Sequence, residues 1–268
     1  MSSTSDRVAL VTGASRGMGA HVARRLGEDG FTVALADVRD CEEAARAVRD
    51  LGREARAFGC DIADWEAVGE LVTSVESDLG PLDAAVQVAG IYRNVPFLEM
   101  DPSSWRELMD VNLDGTFNVV RHAAAAMAPR GRGSIVVISS TASWLAWDES
   151  THYTTSKAAI VGLMRGAAYE LGSHRVRVNA VAPGTIRTPA TVDELALAGV
   201  EEAEARACPL GRVGETADIA EAVAFLCDAR RSAWITGHQL VVDGGYSTHG
   251  EASSFGRHVD TTVGPAGG

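Results

Sequence analysis

The stretch Val8-Ala9-Leu10-Val11-Thr12-Gly13-Ala14-Ser15-Arg16-Gly17-Met18-Gly19 decides the fold. Its first five residues are β-branched or apolar with no polar alternation, the pattern of a strand buried on both faces. A glycine-rich turn follows, and then a helical stretch near Gly19–Gly27. Free amides and the helix dipole at such a helix N-terminus favour a pyrophosphate. The spacing is Gly-x-x-x-Gly-x-Gly, one residue wider than the commoner dinucleotide fingerprint, but glycine serves the same needs of tight turn and close backbone approach. Alone, the motif fits a purely structural turn equally well, so the surrounding chain has to decide.

Outward from this stretch, short apolar runs alternate with longer helical patterns. Strands are expected near Val8–Thr12, Thr32–Asp37, Ala55–Cys60, Ala84–Val88, Ser134–Ser139, Arg175–Val181 and Gln239–Val242. Helical stretches fall near Gly19–Gly27, Glu42–Leu51, Trp65–Leu79, Ser103–Met127, His152–Leu171 and Ala217–Cys227. Right-handed crossovers then give an α/β fold: one doubly wound, Rossmann-type parallel sheet of about seven strands with helices on both faces. A ligand is expected at the carboxyl ends of the strands. Residues 1–246 form the expected catalytic domain, and the stretch from about 189 to 212, long and without strand character, reads as a substrate lid. The Gly/Ser/Thr-rich residues 247–268 read as a tail that is mobile or docks on another subunit.

Asp37 ends the second strand, and 37 − 19 = 18 residues is close to the separation expected for a carboxylate on the adenosine ribose hydroxyls. It should repel a 2′-phosphate and so points to NAD over NADP. NADP stays open, because Arg16 or Arg39 is placed to reach such a phosphate, to pair with Asp37, or to lie in solvent.

Lys157 is the only lysine of the 268 residues, every other basic side chain apart from histidine being arginine, and it stands four residues after Tyr153. By chance a lone lysine would follow one of 4 tyrosines at that spacing roughly 1.5% of the time. On a helix the two share a face, so the ammonium is expected to lower the phenol pKa and make Tyr153 a general acid/base. A compact ammonium on a flexible stem suits that task better than a planar guanidinium.

With Thr12–Gly19, Asp37, Asn112, Ser139-Ser140, Tyr153-x-x-x-Lys157 and Pro183-Gly184 in this order, the chain resembles the short-chain dehydrogenases/reductases from about Arg7 to Tyr246. The resemblance implies hydride exchange between a nicotinamide and a carbinol carbon. Tyr153 exchanges the hydroxyl proton, Ser140 hydrogen-bonds the same oxygen, Lys157 also holds the nicotinamide ribose, and Asn112 anchors a water that relays the proton. Ser140 is selected because the family serine lies thirteen residues before the tyrosine, 153 − 13 = 140, which leaves Ser139 and Ser143 structural. By the same matching, Gly13, Ser15, Arg16, Gly17, Met18, Gly19, Asp37, Asp61, Ile62, Ala89, Gly90, Tyr153 and Lys157 hold the cofactor. Asn179 and the segment Pro183, Gly184, Ile186 and Thr188 resemble the part that fixes the carboxamide. One departure is Gln87-Val88-Ala89-Gly90 where the family has Asn-Asn-Ala-Gly, which is expected to cost bracing of the fourth strand.

A net charge of −12 with scattered arginines argues against nucleic acid or an anionic membrane as partner, leaving a small-molecule substrate. The four cysteines form no C-x-x-C pair, so neither disulfides nor a metal site are expected, and without a signal or membrane-spanning run the enzyme reads as cytoplasmic. The substrate pocket is expected between Tyr92–Phe97, Ser143–His152 and the lid, with Tyr92, Phe97, Trp144 and Trp147 favouring an apolar or ring-bearing secondary alcohol or ketone. His152 is the neighbour of Tyr153 in sequence but points about 100° away on a helix. Two alternatives remain. One is an NADPH-dependent 3-oxoacyl-carrier reductase that receives its acidic carrier on Arg130, Arg132, Arg175 and Arg177; the other is an NAD-binding sensor without turnover. The resemblance implies dimers or tetramers formed through the helices carrying Asn112 and Tyr153, and small apolar faces at His122–Met127 and Ala158–Leu171 suit close helix packing, so a homotetramer is expected.

Overall fold

A computed structural model describes residues 7–248 of the chain. In order it has β1 (Arg7–Thr12), α1 (Gly17–Glu28), β2 (Phe31–Asp37), α2 (Glu42–Arg49), β3 (Ala55–Gly59), α3 (Trp65–Leu79), β4 (Leu82–Gln87), α4 (Pro102–Met109), α5 (Gly115–Met127), β5 (Gly133–Ile138) and α6 (Thr151–Leu171). Then follow β6 (Val176–Pro183), β7 (Ile186–Arg187), α7 (Val192–Leu195), α8 (Val200–Ala207), β8 (Gly214–Glu215), α9 (Thr216–Cys227) and β9 (Gln239–Val242). Seven strands form one sheet in the order β3-β2-β1-β4-β5-β6-β9, every neighbouring pair parallel. The doubly wound α/β reading is therefore correct.

Alternation along β1 shows why the strands are apolar throughout. Val8 and Leu10 enter a core shared with α3, α5 and α6, whereas Ala9 and Val11 enter a second core shared with α1, α2 and α9. Local chemistry sets the helix starts: Asp64 Oδ1 accepts from Ala67 N at 3.0 Å to begin α3, and Asp101 Oδ1 accepts from Ser104 N at 2.7 Å with Pro102 in the first turn of α4.

The expected single helix over 103–127 is broken. Asp110–Asp114 form a π-helical turn between α4 and α5, with Thr116 Oγ1 donating to the Asn112 carbonyl at 2.5 Å. Gly115 packs under Ile62, where a Cβ would come within 2.8 Å of its side chain. Hydrophobic periodicity does not register one extra residue per turn, yet such turns place side chains off the helical register, often at sites of function.

Residues 189–212 lack strand, as expected, but hold the helices α7 and α8. They are bracketed by the two-residue parallel pair β7 and β8. Most of the expected tail, residues 249–268, lies outside the described residues.

Candidate functional site

Strand order reverses between β1 and β4, so the loops after these strands diverge and open a crevice at their carboxyl ends. Gly13 has φ +65°, and a Cβ there would lie 2.7 Å from the Ala89 backbone. Gly17 has φ +58°, and a Cβ on Gly19 would run into the Gly13 carbonyl. Only glycine keeps this cradle open.

Asp37 closes the far side of the turn. Its Oδ2 accepts from Ser15 N at 3.2 Å and Ser15 Oγ at 2.7 Å, and its Oδ1 accepts from Arg39 N at 3.0 Å. Asp37 thus anchors the glycine turn while part of its acceptor capacity stays free. Arg16 and Arg39 are exposed, and among the described residues neither guanidinium forms a side-chain ion pair with Asp37. Met18 is half-buried on α1. After β3, Asp61 is exposed and accepts from Ala63 N at 3.0 Å, whereas Ile62 is a core residue whose carbonyl accepts from Asn118 Nδ2 at 2.9 Å.

The other wall is made of side chains. Asn112 is buried: its Oδ1 accepts from Ile91 N at 2.8 Å, and its Nδ2 donates to Ile91 O at 2.9 Å and to Ser156 Oγ at 3.3 Å. Ser156 Oγ donates in turn to Tyr153 O at 2.8 Å, so the π-turn, the loop after β4 and α6 are tied together. Lys157 is buried and donates Nζ to Ile138 O at 2.9 Å, with the ammonium 5.5 Å from the Tyr153 ring centre. A Cβ on Gly90 would lie 3.2 Å from Asn112 Oδ1 and 3.9 Å from Lys157 Nζ, so the backbone there packs close against both groups. Ser140 hydrogen-bonds Tyr153 through its side chain and accepts from Ala142 N at 3.1 Å.

The electrostatics correct one expectation. Burial pushes the Tyr153 phenol up to about 12, with the Ser140 hydrogen bond acting the other way and Tyr92 adding to the rise. Burial also pulls Lys157 down to about 8. The i, i+4 spacing does bring the two together, but desolvation dominates the phenol and leaves it protonated at neutral pH.

Two further expectations change, and a third residue keeps its place outside the chemistry. Gln87 does brace β4: its buried amide donates to Ala89 O at 2.7 Å, and Thr12 Oγ1 accepts from Val88 N at 3.3 Å. Asn179 faces away from the crevice, its Nδ2 donating to Ile235 O at 2.9 Å and its Oδ1 accepting from His238 N at 3.1 Å. His152 is fully buried with both ring nitrogens lacking partners, and burial lowers its pKa, so it stays neutral.

The Pro183–Thr188 segment does lie at the carboxyl end of the sheet. Gly184 abuts Asp243, where a Cβ would be 2.8 Å from its side chain, Ile186 is buried, and Thr188 N donates to Thr191 Oγ1 at 2.9 Å.

One set of residues escaped sequence reading. Gln239 on β9 donates Nε2 to Ser139 Oγ at 3.0 Å and to Ser143 Oγ at 2.7 Å, and Ser143 Oγ donates to Ser140 O at 2.7 Å. These bonds fix the backbone on either side of Ser140. They span nearly a hundred residues, and no local pattern announces them.

On the substrate side, Tyr92 stands edge-on to Tyr153 with ring centres 4.9 Å apart. Trp144, Trp147 and Phe97 are all exposed on the neighbouring segments.

A doubly wound sheet with a glycine cradle at its switch point and a tyrosine, lysine, serine and asparagine beside it defines a nucleotide-dependent oxidoreductase. The family model described as "Enoyl-(Acyl carrier protein) reductase" matches residues 13–247. Cis-4-hydroxycyclohexanecarboxylate dehydrogenase of Sinomonas cyclohexanicum is 37% identical over 90% of this chain and 97% of its own. The 3-oxoacyl-[acyl-carrier-protein] reductase FabG of Staphylococcus aureus is 37% identical over 88% and 96%. A solved putative short-chain alcohol dehydrogenase from Sinorhizobium meliloti superposes with TM-score 0.87 at 34% identity, covering 90% of this chain and 96% of that one. The chain belongs to the short-chain dehydrogenase/reductase family and is an oxidoreductase acting on CH–OH groups. Members of that family use NAD or NADP. No helix among the described residues is long and apolar enough to cross a membrane.

Proposed function

We propose that the protein is an NAD-dependent oxidoreductase that interconverts a secondary alcohol and a ketone on a largely apolar or ring-bearing small molecule. The observation that carries this reading is the clustering of Ser140 and Lys157 about the Tyr153 phenol, with Lys157 and Asn112 together beside Gly90. The glycine cradle fits a dinucleotide, with Gly13 to Gly19 on the pyrophosphate, Asp37 on the adenosine ribose and Asp61 beside the adenine. Ala89, Gly90 and Lys157 face the nicotinamide ribose, and Pro183 to Thr188 the carboxamide. When bound, the nicotinamide supplies or takes up hydride.

Tyr153 holds the proton that the substrate oxygen gains on reduction, and its elevated pKa suits a donor at neutral pH. Ser140 donates to the same oxygen and offsets its developing charge. Asn112 and Lys157, both buried, provide the polar path by which the proton is replaced. Asp37 supports NAD, and the exposed Arg16 and Arg39 are the groups through which NADP would enter.

The ring-bearing substrate reading draws on the edge-on Tyr92 beside Tyr153 and on the similarity to a dehydrogenase named for a cyclohexane alcohol. The similarity to FabG favours the 3-oxoacyl-carrier alternative, but the arginines that reading needs stand at the wrong end of the sheet. Arg132, Arg175 and Arg177 flank the amino ends of β5 and β6. Arg130 is bound to Glu76 at 2.7 Å and to Leu82 O at 2.8 Å.

A cytoplasmic location and a homotetramer complete the reading. Ala123, Ala124 and Met127 are spent on the chain's own core, but Ala158, Gly162 and Gly166 form an exposed stripe on α6 with open space at both glycines. The test is a panel of secondary alcohols and ketones with NAD(H) and NADP(H), followed at the nicotinamide absorbance. Turnover of cyclic or apolar substrates with NAD is expected; cofactor binding without turnover on any of them sinks the catalytic reading in favour of a sensor.

A further inference from the structure

Three of the arginines removed from the carrier reading, Arg132, Arg175 and Arg177, line a cavity of their own. At the amino ends of β1, β4, β5 and β6, opposite the catalytic crevice, lies a pocket of about 600 Å³. Arg7, Arg132, Arg175 and Arg177 all line it, against one lining carboxylate, Asp83, which already pairs with Arg132 at 3.1 Å. A chain of net charge −12 thus gathers four guanidinium groups around one hollow.

Two of these side chains are built into the wall. Arg177 is buried, donating to Leu226 O at 2.9 Å, and Arg7 lies over the Phe31 ring at 4.1 Å while donating to Asp29 O at 2.6 Å. Arg175 differs. Its φ of +56° lies in the left-handed region, where a residue with a side chain is strained and glycine is at ease. It is exposed, and no side-chain bond to any other described residue accounts for its guanidinium. The strained position thus presents a guanidinium that is left available for a ligand. At the rim, Trp234 is 99% exposed, a large ring facing solvent beside the cations.

We propose that this pocket is a second ligand site for an anionic small molecule with an apolar ring or chain, its acid group on Arg175 and Arg132 and its body against Trp234. The volume suits a small-molecule ligand. Strands of six to eight residues separate it from Tyr153 by about 20–25 Å, so its occupant is not the substrate being turned over.

Calorimetric titration of the full chain with 2-naphthoate, with and without NADH, tests this. Binding in the micromolar to sub-millimolar range is expected. It should be unaffected by NADH, weakened by salt, about ten-fold weaker in Arg175→Gly and Trp234→Ala, and absent for the neutral 2-naphthalenemethanol. Arg175→Gly suits the backbone, so it should unfold at the same temperature or higher, which separates lost binding from lost fold. The proposal is overturned by no binding at millimolar naphthoate, by displacement with NADH, by equal binding of the neutral analogue, or by unchanged affinity in Arg175→Gly. A fall in sedimenting mass on Trp234→Ala also overturns it, because the face is then a contact between copies of the chain.

Discussion

The half of the sheet built on β1 to β3 and the half built on β4 to β6 make their shares of the crevice by opposite means. The first half works by omission: Gly13, Gly17 and Gly19 leave out side chains, and a single carboxylate, Asp37, ties down the turn. The second half works by buried polar side chains that bond one another across distant elements, Asn112 to Ile91 and Ser156, Lys157 to Ile138, and Gln239 to Ser139 and Ser143. The first arrangement suits a ligand that only has to be held. The second suits chemistry, because a proton must be placed at a known atom and the groups around it kept from turning. Substitutions in the second half should therefore strike kcat, and those in the first half coenzyme affinity and choice.

The sharpest test of that division is Tyr153→Phe. The ring keeps its place, the transferable proton is lost, and kcat should fall by about a hundred- to ten-thousand-fold with coenzyme affinity within a few-fold. Stopped-flow turnover and fluorescence titration with NADH measure the two. Substantial residual kcat would remove Tyr153 from the chemistry and collapse the contrast between the halves.

Lys157→Arg should come next, with a loss on the order of a hundred-fold, since a planar fork does not fit the buried slot between Ile138 and Gly90. The pH profile adds a sign. With its pKa lowered to about 8, Lys157 loses its charge as pH rises through that value, so its attraction for a phenolate fades above it; arginine stays charged throughout. The alkaline limb of kcat should therefore change shape in the variant. A variant with the parent's kcat and profile above pH 8 would make the lone lysine dispensable.

Much of this was legible in the sequence because buried parallel strands read as continuous apolar runs and because glycine at a sharp turn has few substitutes. The spacing of Tyr153 and Lys157 gave their proximity but not the sign of the phenol's shift, which burial decides. The π-helical turn at Asn112 was hidden inside an unbroken helical pattern. Gln87 read as a loss of bracing, since the reach of one extra methylene to Ala89 O appears only in three dimensions. Of the four arginines grouped in the sequence, Arg132, Arg175 and Arg177 do share one hollow while Arg130 pairs with Glu76, and sequence gave no sign that the hollow lies at the amino ends of the strands.

In the first half, Asp37→Ala should move coenzyme choice. Losing one charge-assisted hydrogen bond to the ribose is worth about 1.5–3 kcal/mol, roughly ten- to a hundred-and-fifty-fold in kcat/KM for NAD. The same change removes repulsion from a 2′-phosphate and leaves Arg16 and Arg39 to bind it. Because Asp37 also holds Ser15 N and Oγ, both coenzymes should lose some affinity, with the ratio swinging toward NADP. Steady-state kcat/KM for both coenzymes in parent and variant decides it. A parent that already prefers NADP means an arginine governs the site, and an unmoved ratio means the carboxylate serves only the turn.

The smallest expected effect bears most closely on the side-chain network. Gln239→Leu removes two donors, to Ser139 Oγ and Ser143 Oγ, without touching any group placed in the chemistry. Each such bond contributes about 0.5–1.5 kcal/mol, and the freed hydroxyls can turn to other acceptors, so kcat should fall only about three- to ten-fold. Ser140 would keep its residue identity but lose the fixed backbone that Ser143 Oγ gives it through Ser140 O. The loss should therefore fall on kcat, with KM for the alcohol and affinity for NAD unchanged, and Gln239→Glu, which cannot donate, should resemble the leucine variant. A loss confined to thermal stability with kcat intact would show that the network holds β9 to the sheet and nothing more; a loss in NAD affinity would place Gln239 with the holding half of the site instead of the reacting half.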